Sequence, residues 1–371
     1  MDTPDPFGGS GVRQEMPASP SEPLVILTPS GLYVPSAGVH IDPWGPSDRA
    51  VITHGHADHA RGTASHMLSA PSSVEILRTR LGASASVEAL PFGRRLRVGK
   101  ATISLHPAGH ILGSAQVRVE HRGEVWVVTG DCKRRADPSA EPFEVVRCHT
   151  LVSECTFGLP IYRWPDPEEV IREVISWWRS CAEEGRVALL GAYALGKAQR
   201  ILAHLARLAG NDHNALPGPI LVHGAVARLL PAYRAQGIEL PAVARVTPER
   251  VREAAGRALV LAPPGAAATP WARKLEPLSL GVASGWMQIR GTRRRRGADR
   301  GFVLSDHLDW ADLLATVSES GAQRVGLTHG ATGPAVRFFQ ERGLDAWSLP
   351  TRFEGEAEGG VEDRADEEVP T

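Results

Sequence analysis

The sequence lacks the features that mark secreted, disulfide-stabilised and membrane-spanning proteins. Its 371 residues include only four cysteines, with no CxxC spacing: Cys132, Cys148, Cys155 and Cys181. No apolar run approaches the roughly 20 residues of a membrane-spanning helix, and residues 1–23 lack the apolar core of a secretory signal. We therefore expect reduced thiols and a cytoplasmic protein.

Aromatic residues are also scarce, at 6%, whereas 42% of residues are apolar and 22% are charged, as in an ordinary globular protein. The length predicts two domains. The net charge of −1 is unevenly distributed, because residues 354–371 carry −7 and residues 1–23 carry −3, which leaves about +9 on the body. We predict a disordered leader over 1–23 and an acidic disordered tail over 354–371. The basic body fits a polyanionic partner, or equally a scatter of surface arginines.

The order of strand and helix patterns predicts an interrupted domain. Short β-branched runs separated by Gly and Pro fill residues 24–157 and indicate strands. Strand and helix patterns then alternate through 158–299, which is typical of a parallel sheet with helices on both faces. Short strand patterns like those of residues 24–157 return over 300–353. We therefore predict an α/β protein in which residues 158–299 form a domain inserted between 24–157 and 300–353.

The stretch GAYALGKAQR, residues 191–200, looks like a nucleotide-binding phosphate loop. A working loop of that kind has Ser or Thr after its lysine to hold Mg²⁺. Here Ala198 follows Lys197, so we predict no ATPase. A glycine-rich turn at a helix N-terminus still suits a phosphate, and we expect this one to meet a nucleic-acid backbone, with Lys197 nearby.

The segment VITHGHADHARG is the most informative in the chain. His54, His56, Asp58 and His59 follow a β-branched strand within six residues. Residues i and i+2 do not share a helix face, so the four side chains converge only from a loop at a strand end. Imidazoles with a carboxylate suit Zn²⁺, and four such close ligands indicate two metal ions. Each candidate for the further ligands adjoins a glycine: His110, Asp131 and His329.

The order HGHADH, then GH, then GD resembles the metallo-β-lactamase fold of metal-dependent hydrolases, an αββα sandwich, and Asp42 in VHIDPW matches the early aspartate of that fold. Glu154 in SECTFG, His307 in VLSDHLDW and His329 in LTHG resemble the signatures of the β-CASP nuclease subgroup, which carries an inserted α/β domain. VRCHTLVSECTFGLPIYRWPDP, GAYALGKAQR and ASGWMQIRGTRRRR look most like the bacterial ligase-associated DNA exonucleases, often labelled as relatives of mRNA 3′-end processing factors. The resemblance covers residues 24–353.

The resemblance implies two divalent ions, Zn²⁺ or alternatively Mn²⁺, and a role for each matching residue. The implied ligands of the first ion are His54, His56 and His110. Those of the second are Asp58, His59 and His329. Asp131 would bridge the two ions, Asp42 would orient a ligand histidine, and Glu154 would pair with His307.

Such a centre would direct a hydroxide shared by two ions at phosphorus. His307, oriented by Glu154, would act as the general acid for the departing 3′-oxygen. Phosphate contacts are expected from cationic side chains, and arginine has the better-shaped donor fork. The candidates are Lys133, Lys197, Arg293, Arg294, Arg295 and Arg296.

Three classes of function fit the residues. The favoured one is a DNA exonuclease that processes DNA ends in repair together with an ATP-dependent DNA ligase. The second is a ribonuclease of the RNA 3′-end processing type, since RNA-cutting members of the subgroup usually have a histidine where His329 stands. The third is a small-molecule metallo-hydrolase or an inactive metal-binding module. A small-ester hydrolase would need neither the inserted domain nor Glu154 and His307, and an inactive module would be expected to lack some ligands.

Overall fold

The computed structural model describes residues 22–210, 212, 215–289, 291 and 297–351. The predicted leader (except its last two residues), the predicted acidic tail and the predicted phosphate contacts Arg293–Arg296 lie outside the described residues. The described residues form a mixed α/β structure with three sheets, so the predicted α/β class is confirmed.

The first sheet has six strands in sequence order, antiparallel from β1 to β3 and parallel from β3 to β6. Its strands are β1 Ile26–Thr28, β2 Gly31–Val34, β3 Val39–Ile41, β4 Ser47–Val51, β5 Ala64–Ser69 and β6 Val87–Ala89. Helix α1, Pro71–Leu81, connects β5 to β6 and begins with proline at its first turn, where no backbone donor is needed.

The second sheet has seven strands in the order β19-β18-β11-β10-β9-β8-β7. Its strands are β7 Leu96–Val98, β8 Ala101–Pro107, β9 Ala115–His121, β10 Glu124–Val128, β11 Thr150–Glu154, β18 Arg324–Thr328 and β19 Asp345–Ser348. Strands β10, β11 and β18 run parallel side by side, with Glu154 opposite Thr328. The last part of the chain therefore completes a sheet that the first part begins.

One apolar core fills the space between the first two sheets. Inward side chains of the first sheet, such as Val34 and Ile41, join those of the second, such as Ile103 and Val117, in one buried cluster. Burial of alternate residues along a strand is what a sheet with one face on a core requires.

The third sheet lies entirely in the middle of the chain, and all its strand pairs are parallel, in the order β14-β13-β15-β12-β16-β17. Its strands are β12 Val187–Gly191, β13 Ile220–Val222, β14 Val243–Arg245, β15 Leu259–Ala262, β16 Leu278–Ala283 and β17 Arg300–Phe302. Because β17 pairs with β16, this sheet extends to Phe302, three residues beyond the predicted end of the inserted domain.

Helices cover both faces of the third sheet. The helices of this region are α2 Pro167–Glu183, α3 Lys197–Ala209, α4 Gly224–Ala227, α5 Leu230–Ala235, α6 Pro248–Ala254 and α7 Pro270–Arg273, with 3₁₀ turns at Pro264–Ala268 and Gly285–Gln288. Trp178 of α2 and Ile201 of α3 pack on one face, and Ala254 of α6 and Leu275 pack on the other. Asp166 caps α2 by accepting hydrogen bonds from two backbone N–H groups of its first turn.

Two further helices, α8 Trp310–Ser320 and α9 Thr332–Gln340, flank β18 in the sequence. All four cysteines are buried and free of disulfide bonds. Within the described ranges, no helix has the length and apolarity needed to cross a membrane.

Asp312 in the first turn of α8 generates a prediction about stability. Burial and the neighbouring Asp309 raise its pKa to about 6, above the unfolded value of about 3.9. The protonated carboxyl therefore stabilises the fold below about pH 4, and this contribution is lost as pH rises through about 6. We expect Asp312→Asn to raise the free energy of unfolding by about 1 kcal/mol at pH 8, allowing for partial exposure, and to leave it unchanged at pH 4.

Urea unfolding at the two pH values measures this difference. The exposed Asp48→Asn is the matched control and should change stability at neither pH. An equal effect of Asp312→Asn at both pH values would contradict the assignment.

Candidate metal centre

Parallel strands bring distant candidate residues to one edge of the second sheet. Asp131 lies three residues beyond β10, Glu154 ends β11, and His329 follows β18 directly. Because β10, β11 and β18 are adjacent and parallel, their carboxyl ends meet at the same edge. That edge is where ligand sites concentrate in α/β folds.

Two glycines allow the loops of the site to pack closely. A Cβ at Gly130, whose φ is +56°, would lie 2.7 Å from the Thr53 side chain, and one at Gly109, with φ +75°, would lie 2.1 Å from the Lys133 carbonyl oxygen. Only glycine avoids both the contact and the strain of a positive φ. These glycines precede Asp131 and His110, so they allow the two candidate ligands to approach the His54 loop.

Three imidazole nitrogens converge at the first set of candidate ligands. Nδ1 of His56 lies 3.1 Å from Nε2 of His54 and 3.1 Å from Nε2 of His110. Oδ2 of Asp131 lies 3.6 Å from the His54 nitrogen and 3.7 Å from the His110 nitrogen. Atoms bound to one tetrahedral zinc at 2.0–2.1 Å would be about 3.3 Å apart. The spacing therefore fits one ion held by four ligands.

The other Asp131 oxygen faces a second set. Its Oδ1 lies 3.5 Å from Nε2 of His59, which is 3.6 Å from Oδ2 of Asp58. The ring of His329 is centred 5.5 Å from that of His59, and ligand atoms of His59, Asp131 and His329 lie within 4.8 Å of one another. The structure therefore brings all seven predicted ligands together, with one carboxylate between two sets.

The buried atoms of the site lack partners that a metal ion would supply. Nε2 of His59, Oδ1 of Asp131 and Nδ1 of His329 are buried, and none has a hydrogen-bond partner among the described residues. Buried polar atoms are rarely left unpaired, because desolvation costs about 1–3 kcal/mol for each. The donor set of imidazoles and carboxylates also matches the preference of zinc and related ions. The residues present therefore fit a divalent metal centre.

Hydrogen bonds from neighbouring side chains fix how His59 and His54 face the site. Nδ1 of His59 donates to Oδ2 of Asp42 at 2.7 Å, which leaves its Nε2 free to bind a metal. The Thr53 hydroxyl donates to the same carboxylate at 2.5 Å and lies 3.1 Å from Nδ1 of His54, from which it can accept. The geometry thus gives Asp42 the orienting position expected of it, and Thr53 is an additional member that no sequence pattern singled out.

Burial and charge set the protonation of the ligands. Burial lowers the pKa of His54, His110 and His329, so these rings are neutral at pH 7 and able to bind metal. Burial alone would also lower the pKa of His59, but the Asp131 and Asp58 carboxylates raise it well above its usual value. Although burial disfavours its charge, Asp131 has a pKa held well below the usual range by His59 and His307. Metal binding would therefore displace a proton from His59.

His307 and Glu154 form a buried pair beside the ligands. Nδ1 of His307 donates to Oε1 of Glu154 at 3.0 Å, and both side chains are almost fully buried. The Glu154 carboxylate also accepts from the backbone N–H groups of Cys132 and Thr156. The His307 ring centre lies 4.7 Å from that of His110, so the pair adjoins the first ligand set.

The two lysines predicted to contact phosphate lie in the interior instead. Lys197 is 0% exposed and Lys133 is 1% exposed. Nζ of Lys197 lies 3.4 Å from Asp306, and Nζ of Lys133 lies 2.5 Å from Asp137. A phosphate contact by either lysine would require these ion pairs to open, because in this conformation both ammonium groups are enclosed by protein.

The fold and site define the class of the protein: a mixed α/β protein with a buried histidine–aspartate centre arranged for divalent metal ions. No protein-family model matches the sequence. The chain is 33% identical over 324 residues to a probable DNA ligase from Opitutus terrae, a match that covers 86% of this chain and 30% of that protein. It is 28% identical over 146 residues to endoribonuclease ysh-1 from Neurospora crassa, covering 38% of this chain and 17% of that protein.

These matches confirm the resemblance predicted from the sequence: the chain is related to the β-CASP nucleases of the metallo-β-lactamase fold. It spans about a third or less of the length of these two relatives. A solved structure of a protein of unknown function from Enterococcus faecalis V583 aligns with a TM-score of 0.55 and 13% identity, covering 82% of this chain and 79% of that one. At that identity the likeness shows the fold alone.

The two ligand sets generate a prediction about metal stoichiometry. The protein should bind two equivalents of Co²⁺, measured by visible absorption. His110→Ala and His329→Ala should each reduce this to one equivalent, because each removes a ligand from a different set. His66→Ala, which removes an exposed histidine of β5, should retain two. One equivalent in the unaltered protein would contradict the two-set arrangement.

Proposed function

We propose that the chain is a metal-dependent phosphodiesterase that cleaves nucleic acid, acting as a DNA exonuclease on DNA ends together with a DNA ligase. The observation that carries this proposal is the buried His307–Glu154 pair beside the metal ligands. Hydrolysis of a phosphodiester expels a poor leaving group that needs a proton, and this pair offers an acid at the edge of the centre.

The protein side chains have separable roles in this reaction. Two divalent ions, for which we propose zinc, would supply an activated water and neutralise charge on the phosphate oxygens. Glu154 can only accept a hydrogen bond when ionised, so the Nδ1 proton of His307 is committed to it. Protonated His307 therefore carries its transferable proton on Nε2. That proton passes to the departing 3′-oxygen as the phosphorus–oxygen bond breaks.

The choice of DNA over RNA rests on the extent of the two similarities. The match to the probable DNA ligase covers 86% of the chain, whereas the match to the endoribonuclease covers 38%. A nuclease-like segment within a protein named as a ligase favours work on DNA ends that are later joined. His329 and the endoribonuclease match favour RNA, which makes a ribonuclease of the 3′-end processing type the second candidate.

The proposal extends to the arrangement of the domains. We propose that the first two sheets, with the helices outside them, form the αββα sandwich of the metallo-β-lactamase fold. The third sheet and its helices, up to Phe302, would then form the inserted β-CASP domain. The run Arg293–Arg296 stays a proposed phosphate contact, and the cytoplasm stays the proposed location.

A comparison of four matched oligomers tests the substrate. DNA and RNA of the same sequence, each labelled at the 5′ or the 3′ end, are incubated with the protein and Mn²⁺ or Zn²⁺. We expect single nucleotides released progressively from DNA, and slower cleavage of RNA. Preferential cleavage of RNA would favour the second candidate. Hydrolysis of a β-lactam or thioester with no cleavage of either oligomer would contradict a nuclease.

His307→Ala tests the general acid. We expect kcat on the preferred oligomer to fall by about 10²–10⁴-fold, with two equivalents of Co²⁺ still bound, because His307 is paired with Glu154 rather than counted among the ligands. His121→Ala, which removes a half-buried histidine at the end of β9, should leave kcat unchanged. Full activity of His307→Ala would exclude the assigned role.

A further inference from the structure

The turn between β12 and α3 contacts His56, one of the candidate metal ligands. This turn, residues 192–196, belongs to the phosphate-loop-like stretch 191–200. Its Leu195 carbonyl oxygen lies 3.1 Å from Nε2 of His56. Gly196 has φ +88°, and a Cβ there would lie 2.3 Å from Cγ2 of Ile111 and 3.8 Å from Nε2 of His56. The turn therefore fits against the metal loops without space for a side chain at Gly196.

The first turn of α3 reaches the same region through Asp306. Nη1 of Arg200 lies 2.8 Å from Oδ1 of Asp306 and donates to the backbone carbonyl of Ser305 at 2.5 Å. Nζ of Lys197 lies 3.4 Å from Oδ2 of Asp306. The backbone carbonyl of Asp306 in turn accepts a hydrogen bond of 2.6 Å from Nδ1 of His110. Arg200 and Lys197 thus hold the segment that orients a candidate ligand.

A second carboxylate anchors this arrangement from the other side. Nε of Arg200 lies 2.7 Å from Oδ2 of Asp137, which also pairs with Lys133. All five charged side chains are buried or nearly so: Lys133, Asp137, Lys197, Arg200 and Asp306. Buried ion pairs are costly to break by removing one partner, because the other charge is left without compensation. Arg200 is therefore held in one position by two carboxylates.

We propose that residues 195–200 and Asp306 form the outer hydrogen-bonding layer of the first metal site, so that the inserted region sets the geometry of metal binding. A backbone carbonyl can only accept a hydrogen bond. The Leu195 carbonyl therefore requires a proton on Nε2 of His56 and leaves Nδ1 for the metal, while the Asp306 carbonyl requires a proton on Nδ1 of His110 and leaves Nε2. These are the two nitrogens that converge at 3.1 Å.

Arg200 and Lys197 are positioning residues in this arrangement, because they act on His110 through Asp306. Loss of such outer partners typically lowers metal affinity by about 10–100-fold. In the second set, His59 is oriented by Asp42 and not by this layer. The proposal therefore predicts an effect confined to the first site, which a general loss of structure would not produce.

Co²⁺ titration of single-site backgrounds tests this directly. His329→Ala retains the first set and His110→Ala retains the second. Adding Arg200→Gln should weaken Co²⁺ binding by about 10–100-fold in the His329→Ala background and leave it unchanged in the His110→Ala background. Equal weakening in both backgrounds, or no weakening in either, would overturn the proposal.

Two further variants keep the test decisive. Arg324 pairs with Glu124 where β18 and β10 begin, at the strand ends away from the metal centre. Arg324→Gln should therefore change Co²⁺ affinity in neither background. If Arg200→Gln loses its native circular dichroism, Lys197→Gln takes its place under the same two criteria, since its contact to Asp306 is the longer of the two. The inference rests on the proposed metal centre. Its test contains no nucleic acid, so its failure is distinguishable from failure of the nuclease assay.

Discussion

Three imidazole nitrogens and a carboxylate oxygen converge in a buried space, and this crowding of lone pairs is the constraint on which the site depends. His54, His56 and His110 each present one nitrogen to the others, while Asp131 faces them and His59 at once. The outer hydrogen bonds described above commit the remaining nitrogens of these rings. Burial disfavours a proton on the inward nitrogens of His54 and His110, because each ring would become a buried imidazolium. A divalent cation satisfies every inward lone pair together.

The fold brings these side chains together from the ends of several strands rather than from a single motif. The loop after β4 brings its ligands from the first sheet, and β10, β11 and β18 deliver Asp131, Glu154 and His329 from one edge of the second. The third sheet separates Glu154 from His329 in the sequence, yet β11 and β18 pair directly. The proposed insertion would keep the register of the second sheet, because the chain returns to pair β18 with β11, the strand that precedes the third sheet.

Sequence reasoning selected the seven candidate ligands that the structure brings together, because their signal is local. HxHxDH occupies six residues, and the later candidate ligands each follow a strand and adjoin a glycine. The long strands β8 and β9 were also predictable, whereas short strands such as β6 and β14 lack a full alternation of apolar residues. The burial of Lys197 and the role of Arg200 were not predictable, because a cationic residue at the start of an amphipathic helix is ordinarily predicted to face solvent. Asp306 was beside a predicted residue, but its partners lie more than 100 residues away.

The phosphate-loop-like stretch shows why such a motif does not fix a function. Its glycine with positive φ, its lysine and its helix N-terminus are features that suit a phosphate. In this chain Lys197 is directed at Asp306, the glycine lies against Ile111, and the Leu195 carbonyl faces a candidate metal ligand. The absent hydroxyl at Ala198 argued only against Mg²⁺ in an ATPase. The neighbouring side chains give a second reason: the lysine of the motif points into the protein and pairs with Asp306, which belongs to the outer layer proposed for the first metal site.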